Sequence, residues 1–388
     1  MEYALSELFT LQMGKTPSRD NSSYWKKSEN NWISIADLTN SGKYISNTKE
    51  TLSDSAVAES GIKKIPANTV IMSFKLSLGK VAITEKEMYS NEAIMAFIDK
   101  GVEKISPEYL YYLLCAKDWS KGTNKAVMGA TLNKATLSTI KIQLHEYDNQ
   151  LEIVNMLNRV SSSIDFRKQQ LTKLDEFVKA RFVEMFGDFE FNPKKFPIYL
   201  LCNLCDVGSS KRIYQEEQST SGIPFLKISD LVDLIDAGTF SASTFIPSDR
   251  YERLCSQGLT PKTNDVLITS RGTLGKCYIV KKSDEFYFQD GMISWLSNIS
   301  EKVSSTYISY LFMQPYIQKQ ILALQAGSTV AYLSISMLKR LNIILPPLSL
   351  QNQFAAFVAE VDKSKVEVQK ALDQTQLLFN SLMQQYFG

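Results

Sequence analysis

The sequence predicts a mixed α/β (α+β) protein in which two tandem globular domains are each followed by a long helix, and the two helices form an antiparallel coiled coil. Three observations predict this fold class. The chain of 388 residues contains one long internal repeat, each copy mixes short strand-like runs with helical ones, and each copy ends in about 40 residues without Pro or Gly. The predicted parts are residues 1–147 for the first domain, 148–187 for its helix, 188–348 for the second domain with its leading linker, and 349–388 for the second helix.

The internal repeat is visible at several places along the chain. Residues 32–38 (WISIADL) align with residues 225–231 (FLKISDL), and residues 70–80 align with residues 266–276, both of which end in Leu-Gly-Lys. The offset between the copies grows from 193 to 201 residues along the chain, as expected when loops gain residues and structural elements keep their length. A repeat of about 190 residues is far too long for a solenoid unit, so the sequence predicts two copies of one domain.

Within each copy, alternating or β-branched runs predict strands, and helical spacing of Tyr and Leu predicts a helix. The predicted strands are residues 70–74, 80–83 and 93–98 in the first copy, and residues 266–270, 277–280 and 292–296 in the second. The predicted helices are residues 107–117, where Pro107 marks the start, and residues 304–313. The tyrosines of these helices are predicted to pack in the core.

The terminal segment of each copy has apolar residues at alternating steps of three and four, the spacing of a coiled-coil seam. The seam residues are Leu157, Val160, Ile164, Leu171, Leu174, Val178, Val358, Val361, Val368, Leu372, Phe379 and Leu382. Each helix would be about 58 Å long, and an isolated one would leave an apolar stripe in water, so we expect the two to pair, with the domains at opposite ends. The polar seam positions Arg167, Arg181, Lys365 and Thr375 either fix orientation and register or extend to the edge of the seam.

Composition excludes several classes of protein. With 44% hydrophobic and 22% charged residues, the chain is globular and not disordered. The sequence contains no run of 18 apolar residues and no basic N-terminal segment, and five Cys is an odd number, so we expect a cytoplasmic protein without membrane association or disulfides. The net charge of +2 does not by itself indicate nucleic-acid binding.

Motifs for catalysis and metal binding are incomplete. His145 is the single histidine, which disfavours a histidine metal site or catalytic triad. The Pro-Pro pair at 346–347 lacks the preceding Asn or Asp of amino-methyltransferases, and residues 272–276 lack the spacing of a Walker motif. Cys202 and Cys205 have no second ligand pair and are predicted to be buried thiols. We therefore predict no catalytic residue, no metal and no bound cofactor.

Several stretches, in order and doubled in one chain, resemble the specificity subunits of type I restriction-modification systems. The stretches are Gly14-Lys15-Thr16-Pro17-Ser18 with Tyr24-Trp25 and Trp32 in the first copy, residues 208–214 (GSSKRIY) with 222–225 (GIPF) in the second, and residues 345–348 (LPPL) followed by Gln351. The first copy departs at residues 144–147 (LHEY) but keeps a glutamine, Gln150. The resemblance covers essentially the whole chain.

This resemblance implies two target recognition domains that each read one half of a bipartite DNA sequence, and helices that set the spacing and dock methyltransferase subunits. The chain would be the non-catalytic subunit of a multisubunit restriction endonuclease and adenine DNA methyltransferase. Its partners would be double-stranded DNA, two methyltransferase (modification) subunits and restriction/translocase subunits, with S-adenosylmethionine, ATP and Mg bound by those subunits. Two alternatives remain: a specificity module of another restriction class, and a coiled-coil protein scaffold that does not bind DNA.

Candidate DNA contacts are basic, polar and aromatic residues in predicted loops. They are Lys15, Thr16, Ser18, Arg19, Tyr24, Trp25, Lys75 and Lys80 in the first copy, and Ser210, Lys211, Arg212, Tyr214, Arg271, Thr273 and Lys276 in the second. Arg271 directly follows a strand and can donate two hydrogen bonds to guanine. Its counterpart is Lys75, whereas Lys80 and Lys276 match each other. We expect the differing pair to distinguish the half-sites and the shared pair to hold phosphate. The alternative for the first loop is a solvated segment with Trp25 in the core.

Overall fold

The computed structural model describes residues 1–26, 28–75, 77–119, 124–126, 129–325 and 331–388. The chain forms two compact units: unit 1 comprises residues 1–169 and 369–388, and unit 2 comprises residues 170–368. Each of the two long helices therefore contributes one part to each unit.

Among its described residues, unit 1 contains short strands, five short α-helices, the first part of one long helix and the end of another. The strands are β1 (Glu2–Ala4), β2 (Phe9–Met13), β3 (Asn30–Ile33), β4 (Tyr44–Ile45), β5 (Glu50–Leu52), β6 (Val70–Ser73), β7 (Val81–Thr84), β8 (Tyr89–Ser90), β9 (Ile94–Asp99), β10 (Asn124–Ala126), β11 (Gly129–Thr131) and β12 (Lys141–Gln143). The helices are α1 (Leu5–Leu8), α2 (Ile35–Asn40), α3 (Asp54–Ser60), α4 (Pro107–Ala116), α5 (Lys134–Thr139) and α6 (Tyr147–Phe186).

The main sheet of unit 1 has the strand order β2-β9-β6-β7-β4, antiparallel except for the β4–β7 pair. A smaller sheet, β5-β3-β8, packs its own apolar cluster around Trp32 and Leu52. Strands β6 and β9 are buried along most of their length, which explains why their sequences are continuously apolar. The strands predicted at 70–74, 80–83 and 93–98 are confirmed.

Unit 2 repeats this plan. Its strands are β13 (Ile198–Leu200), β14 (Asp206–Gly208), β15 (Ile223–Leu226), β16 (Phe245–Ile246), β17 (Val266–Thr269), β18 (Cys277–Ile279), β19 (Tyr287–Phe288), β20 (Ile293–Ser297) and β21 (Asn342–Ile344). Its helices are α7 (Ile228–Ala237), α8 (Ser248–Ser256), α9 (Ser305–Phe312), α10 (Pro315–Leu324), α11 (Ile335–Lys339) and α12 (Leu348–Phe387), the last of which ends in unit 1.

In the described residues, the main and smaller sheets of unit 2 match those of unit 1, except that the main sheet has no counterpart of β4. Its main sheet has the order β14-β20-β17-β18, and its smaller sheet the order β16-β15-β19. In both smaller sheets the middle strand pairs antiparallel on one side and parallel on the other. The strands predicted at 266–270, 277–280 and 292–296 are confirmed, as is the mixed α/β fold class.

Helices α4 and α9 attach the sheets to the long helices through buried tyrosines. In unit 1 the Tyr109 ring lies 5.3 Å from the Phe387 ring of α12, between ring centres. In unit 2 the matching Tyr307 ring lies 5.1 Å from the Phe186 ring of α6. Both tyrosines are fully buried, which confirms the prediction that they pack in the core.

The long helices α6 and α12 are unbroken over 40 residues each. Within unit 2 the two helices run antiparallel. The Phe182 ring of α6 lies 5.2 Å from the Phe354 ring of α12, between ring centres, and Asp175 of α6 forms an ion pair with Lys365 of α12. Asp175 precedes Phe182 whereas Lys365 follows Phe354, so the chains run in opposite directions. All twelve predicted seam residues are buried or half-buried. In the described part of the chain, none of the helices combines the length and apolarity needed to cross a bilayer.

The polar seam residues behave in two ways. Lys365 joins the two helices in unit 2 through its ion pair with Asp175. Arg181 instead pairs with Glu184 of its own helix at 2.8 Å, and Thr375 donates to the Ala371 carbonyl at 2.6 Å. The lysine supports the orientation hypothesis, because an interhelical charge pair is specific to one register. Arg181 also reaches the other helix, since its guanidinium carbon lies 5.8 Å from the centre of the Phe357 ring.

Candidate DNA interface

A loop with the same internal hydrogen bonds follows an internal strand of the main sheet in both units. In unit 1 it spans residues 73–80, between β6 and β7, with Leu76 outside the described residues. The buried Ser73 hydroxyl donates to the Ser77 carbonyl and accepts from the Lys80 N–H at 3.0 Å. A hydroxyl bonded to two points of one loop holds the intervening backbone in a defined shape. We call this segment the stapled loop of unit 1.

The stapled loop of unit 2 spans residues 269–276, between β17 and β18. Thr269 takes the place of the serine: its buried hydroxyl donates to the Thr273 carbonyl and accepts from the Lys276 N–H at 3.0 Å. The backbone bonds also match, since in each loop the glycine before the lysine donates to the carbonyl of the hydroxyl residue at 2.9 Å. The two copies therefore build one loop geometry from different residues.

Lys75 and Arg271 occupy the same step of their stapled loops, as the alignment of the copies predicts. The Arg271 guanidinium carbon lies 5.3 Å from the centre of the Tyr332 ring, and the two backbones form an antiparallel bridge. Lys75 Nζ lies 5.3 Å from the centre of the Phe74 ring. Arg271 is exposed, and among the described residues it forms no ion pair. Its donors are consequently available to a ligand.

The two lysines that end the stapled loops have different surroundings. Lys276 Nζ lies 2.6 Å from each carboxylate oxygen of Asp236, on helix α7. Lys80 is exposed and has no ion-pair partner within the described ranges. The Thr273 side chain is exposed beside Arg271. The Asp236 carboxylate neutralises the charge of Lys276, whereas the charge of its counterpart Lys80 is not neutralised by an ion pair within the described residues.

In the first candidate loop of unit 1, Arg19 is held by an aromatic pair and a carboxylate. Its guanidinium carbon lies 3.6 Å from the centre of the Trp25 ring, and it donates to both Glu50 oxygens at 2.6 and 3.0 Å. This hydrogen-bonded pairing raises the pKa of Arg19. Trp25 meets Trp32 edge to face at 5.0 Å and donates through Nε1 to the Ser18 carbonyl at 3.0 Å. Trp25 is half-buried, packed against the small-sheet core.

The other candidates of this loop also have internal partners. Thr16 donates to Glu92, Tyr24 donates to Glu59, and Lys15 Nζ donates to a backbone carbonyl. The bond to the carboxylate raises the pKa of Tyr24. The structure thus brings residues 15–25 together as one cluster, but its polar groups hold the loop to the rest of unit 1.

The matching cluster of unit 2 leaves more of its polar groups free. Ser210 donates to the Phe288 carbonyl at 2.6 Å, and Arg212 donates to Asp290 at 2.9 Å, which raises the arginine pKa. Lys211 is exposed, and in the described part of the chain it has no ion pair; Tyr214 is exposed by 57%. These two side chains are therefore accessible to a ligand.

Sequence patterns did not reveal the partners of these candidates. Asp236 lies 40 residues before Lys276, and Glu50 lies 31 residues after Arg19, so no local spacing connects either pair. Tyr332 follows residues 326–330, which the structure does not describe. Its contact with Arg271 had no signal in the sequence beyond its aromatic character.

The cysteine pair needs a correction. Cys205 is buried, as predicted, and burial raises its pKa to about 12. Cys202 is exposed, because it lies on the outer side of a short 3₁₀ helix, Leu201–Asn203. Across the described residues, no three side chains of the His, Cys, Asp or Glu type gather into a metal site.

The family comparison matches both copies of the repeat. A family model described as "Type I restriction modification DNA specificity domain" covers residues 1–176 and again residues 193–375. The chain belongs to this family. The matched segments include both stapled loops and both candidate clusters, so the type I specificity family accounts for the doubled architecture.

Relatives and solved structures agree with membership of the type I specificity family. The MjaIX specificity subunit of Methanocaldococcus jannaschii is 24% identical over 385 residues, which covers 92% of this chain and 86% of the relative. The S subunit structure from M. genitalium has a TM-score of 0.55 at 14% identity and covers 99% of this chain and 94% of its own. A chain solved in work on assembly and conformational transition of the type I R-M system has a TM-score of 0.61 at 15% identity, covering 100% and 97%.

Proposed function

We propose that this specificity subunit reads a bipartite DNA target, with the recognition part of each unit contacting one half. The observation that carries the proposal is the stapled loop. Each unit holds the same loop by the same hydrogen bonds, yet presents Lys75 in one and Arg271 in the other. A loop of the same shape that presents a different hydrogen-bond donor in each unit suits two domains that prefer different DNA sequences. The recognition parts correspond to the predicted residues 1–147 and 188–348.

Arg271 is the proposed base reader of unit 2. Its guanidinium is exposed, carries no carboxylate partner among the described residues, and is supported by the Tyr332 ring. Such a group can donate to O6 and N7 of one guanine. Lys80 and Lys211 are the proposed phosphate contacts, because each is exposed without an ion pair in the described ranges.

The long helices are proposed to set the spacing of the half-sites and to dock two methyltransferase subunits. Large apolar side chains stay uncovered along them: Phe166 and Phe177 on α6 are exposed by 61% and 54%, and Val366 and Leu377 on α12 by 57% and 68%. Exposed apolar residues at this density favour a protein partner. The chain itself is proposed to be non-catalytic, with S-adenosylmethionine, ATP and Mg bound by the methyltransferase and restriction/translocase subunits.

The test is to purify the chain with the modification subunits of its host and to map methylated adenines on genomic DNA. The expected result is methylation at a bipartite sequence with a fixed unspecified spacer. Methylation without sequence preference would contradict the proposal, as would specific DNA binding by complexes that lack this chain. Absence of any sequence-dependent DNA binding would favour the protein scaffold, and assembly with enzymes of another restriction class would favour the other alternative.

A further inference from the structure

A buried glutamine occupies the first turn of each long helix and makes the same three hydrogen bonds in both units. In unit 1 the Gln150 Oε1 accepts from the Ser106 N–H at 3.0 Å, and its Nε2 donates to the carbonyls of His145 at 3.0 Å and Lys104 at 3.3 Å. The side chain is 1% exposed. These bonds use both amide hydrogens and the amide oxygen.

The second glutamine repeats this pattern. In unit 2 the Gln351 Oε1 accepts from the Ser304 N–H at 2.9 Å, and its Nε2 donates to the carbonyls of Pro346 at 2.8 Å and Lys302 at 3.1 Å. Its side chain is fully buried. We call each glutamine with its three backbone partners a glutamine joint. Both copies form the joint although the adjacent linker has the sequence LHEY in one copy and LPPL in the other.

Each joint connects three separate pieces of backbone. One is the first turn of the long helix, the second is the linker immediately before it, and the third is the segment that leads into α4 or α9. Ser106 and Ser304 directly precede those two helices, and neither serine side chain caps its helix. The glutamine oxygen therefore accepts a hydrogen bond from the serine N–H, a backbone group at the helix start that has no acceptor within the helix.

The chemistry of the joint requires a neutral amide that donates and accepts at once. A glutamate of the same size would place a carboxylate against two carbonyl oxygens and would lose both donors. A buried polar group left without its partner is costly, and an unpaired buried charge costs more. Because all partners are backbone groups, the joint fixes the direction of the long helix relative to the recognition part of the same unit, whatever side chains surround it.

We propose that Gln150 and Gln351 are positioning residues that set the angle between each recognition part and its long helix, and thereby the spacer length that the subunit accepts. This inference rests on the proposed function, because spacer length has meaning only for a bipartite DNA reader. Loosening one joint would let its recognition part tilt. Half-site contacts would stay intact, while the separation between the two half-sites would no longer be fixed.

The experiment compares Gln351→Glu and the milder Gln351→Asn with Gln353→Glu, an exposed control on the same helix. Each variant is purified with the modification subunits, and methylation is measured on DNA duplexes whose spacer is one or two base pairs shorter or longer than optimal. We expect the preference for the optimal spacer to fall about tenfold for the Gln351 variants, with unchanged ranking of half-site sequences. The control should keep the wild-type preference.

The outcomes separate three cases. An equal loss of methylation at every spacer, with the preference intact, would overturn the positioning role and leave the joint merely structural. If Gln351→Glu fails to assemble, the spacer preference of Gln351→Asn decides in the same way. If wild-type complexes show no bipartite site at all, the proposed function fails, and that failure is seen before any joint variant is compared.

Discussion

The Lys276 ammonium and the Asp236 carboxylate form a two-oxygen ion pair, with Nζ 2.6 Å from each oxygen. The pair joins the end of the unit 2 stapled loop to helix α7, and the Asp236 side chain is 53% exposed. An exposed ion pair contributes little to stability. Its larger effect is to cancel a positive charge beside the proposed base reader.

Asp236→Asn should therefore strengthen DNA binding by freeing Lys276 for a phosphate. We expect affinity to rise alike for all sequences, and the salt dependence of log K to steepen by about one unit, since one more phosphate is neutralised. Fluorescence anisotropy of the assembled complex at several salt concentrations measures both. Asp233→Asn, an exposed residue of the same helix, is the control. A gain confined to one sequence would show that Lys276 contacts a base.

Arg271→Ala should remove one base preference. We expect a loss of about 1–3 kcal/mol on the target, with relaxed selectivity at a single position, because a guanidinium that donates twice to guanine rejects other bases. Methylation of a target library in which each base is varied measures this directly. Lys276→Ala should instead weaken binding to all sequences alike, because it leaves the Asp236 carboxylate without its ion-pair partner and so adds a negative charge that repels phosphates. Uniform weakening by Arg271→Ala would contradict its role as a base reader.

Thr269→Val should destabilise the unit 2 stapled loop while preserving side-chain shape. The substitution leaves the Lys276 N–H and the Thr273 carbonyl without their shared partner inside the fold, which costs about 1–3 kcal/mol. Hydrogen exchange of residues 270–276 and denaturant unfolding measure the loss. Thr263→Val, at an exposed position, should change neither. Unchanged exchange in the loop would show that Thr269 does not hold it.

The acid sensitivity of unit 1 should depend on Glu108. Burial raises the pKa of this carboxyl, but bonds from Lys43 at 2.6 Å, Tyr44 at 2.5 Å and Asn158 outweigh burial, so its pKa lies below the usual 4.5. The ionised Glu108 stabilises the folded state fully at pH values above the pKa of the unfolded chain. This contribution to stability is lost as pH falls through the lower pKa of the folded state. Glu108→Gln should reduce the fall in stability below pH 4.5, measured by denaturant unfolding against pH. An unchanged fall in stability below pH 4.5 in Glu108→Gln would contradict this role of Glu108.

Periodic features were predictable from the sequence, whereas tertiary ion pairs were not. The seam spacing and the absence of Pro and Gly indicated two long helices, and α6 and α12 are unbroken over 40 residues each. The alignment of the two copies places Lys75 opposite Arg271, and these residues occupy the same position in the two stapled loops. By contrast, the pairings of Arg19 and Lys276 depend on which exposed carboxylates folding brings close, and charged surface residues have no period. The prediction that Cys202 is buried was wrong: this residue lies within the short 3₁₀ helix Leu201–Asn203 and is exposed, whereas Cys205 follows that helix and is buried.

The uncovered apolar residues of the long helices should matter for assembly and not for folding. Phe166→Glu and Leu377→Glu alter side chains that are 61% and 68% exposed, so we expect unfolding free energies within about 0.5 kcal/mol of wild type. Co-purification of the modification subunits should fall strongly, because a carboxylate would have to lose its water at an apolar contact. Leu157→Ala gives the opposite pattern: this side chain is fully buried, and its truncation should cost about 2–5 kcal/mol of stability. Full retention of the modification subunits by both exposed-site variants would place the docking surface elsewhere on the chain.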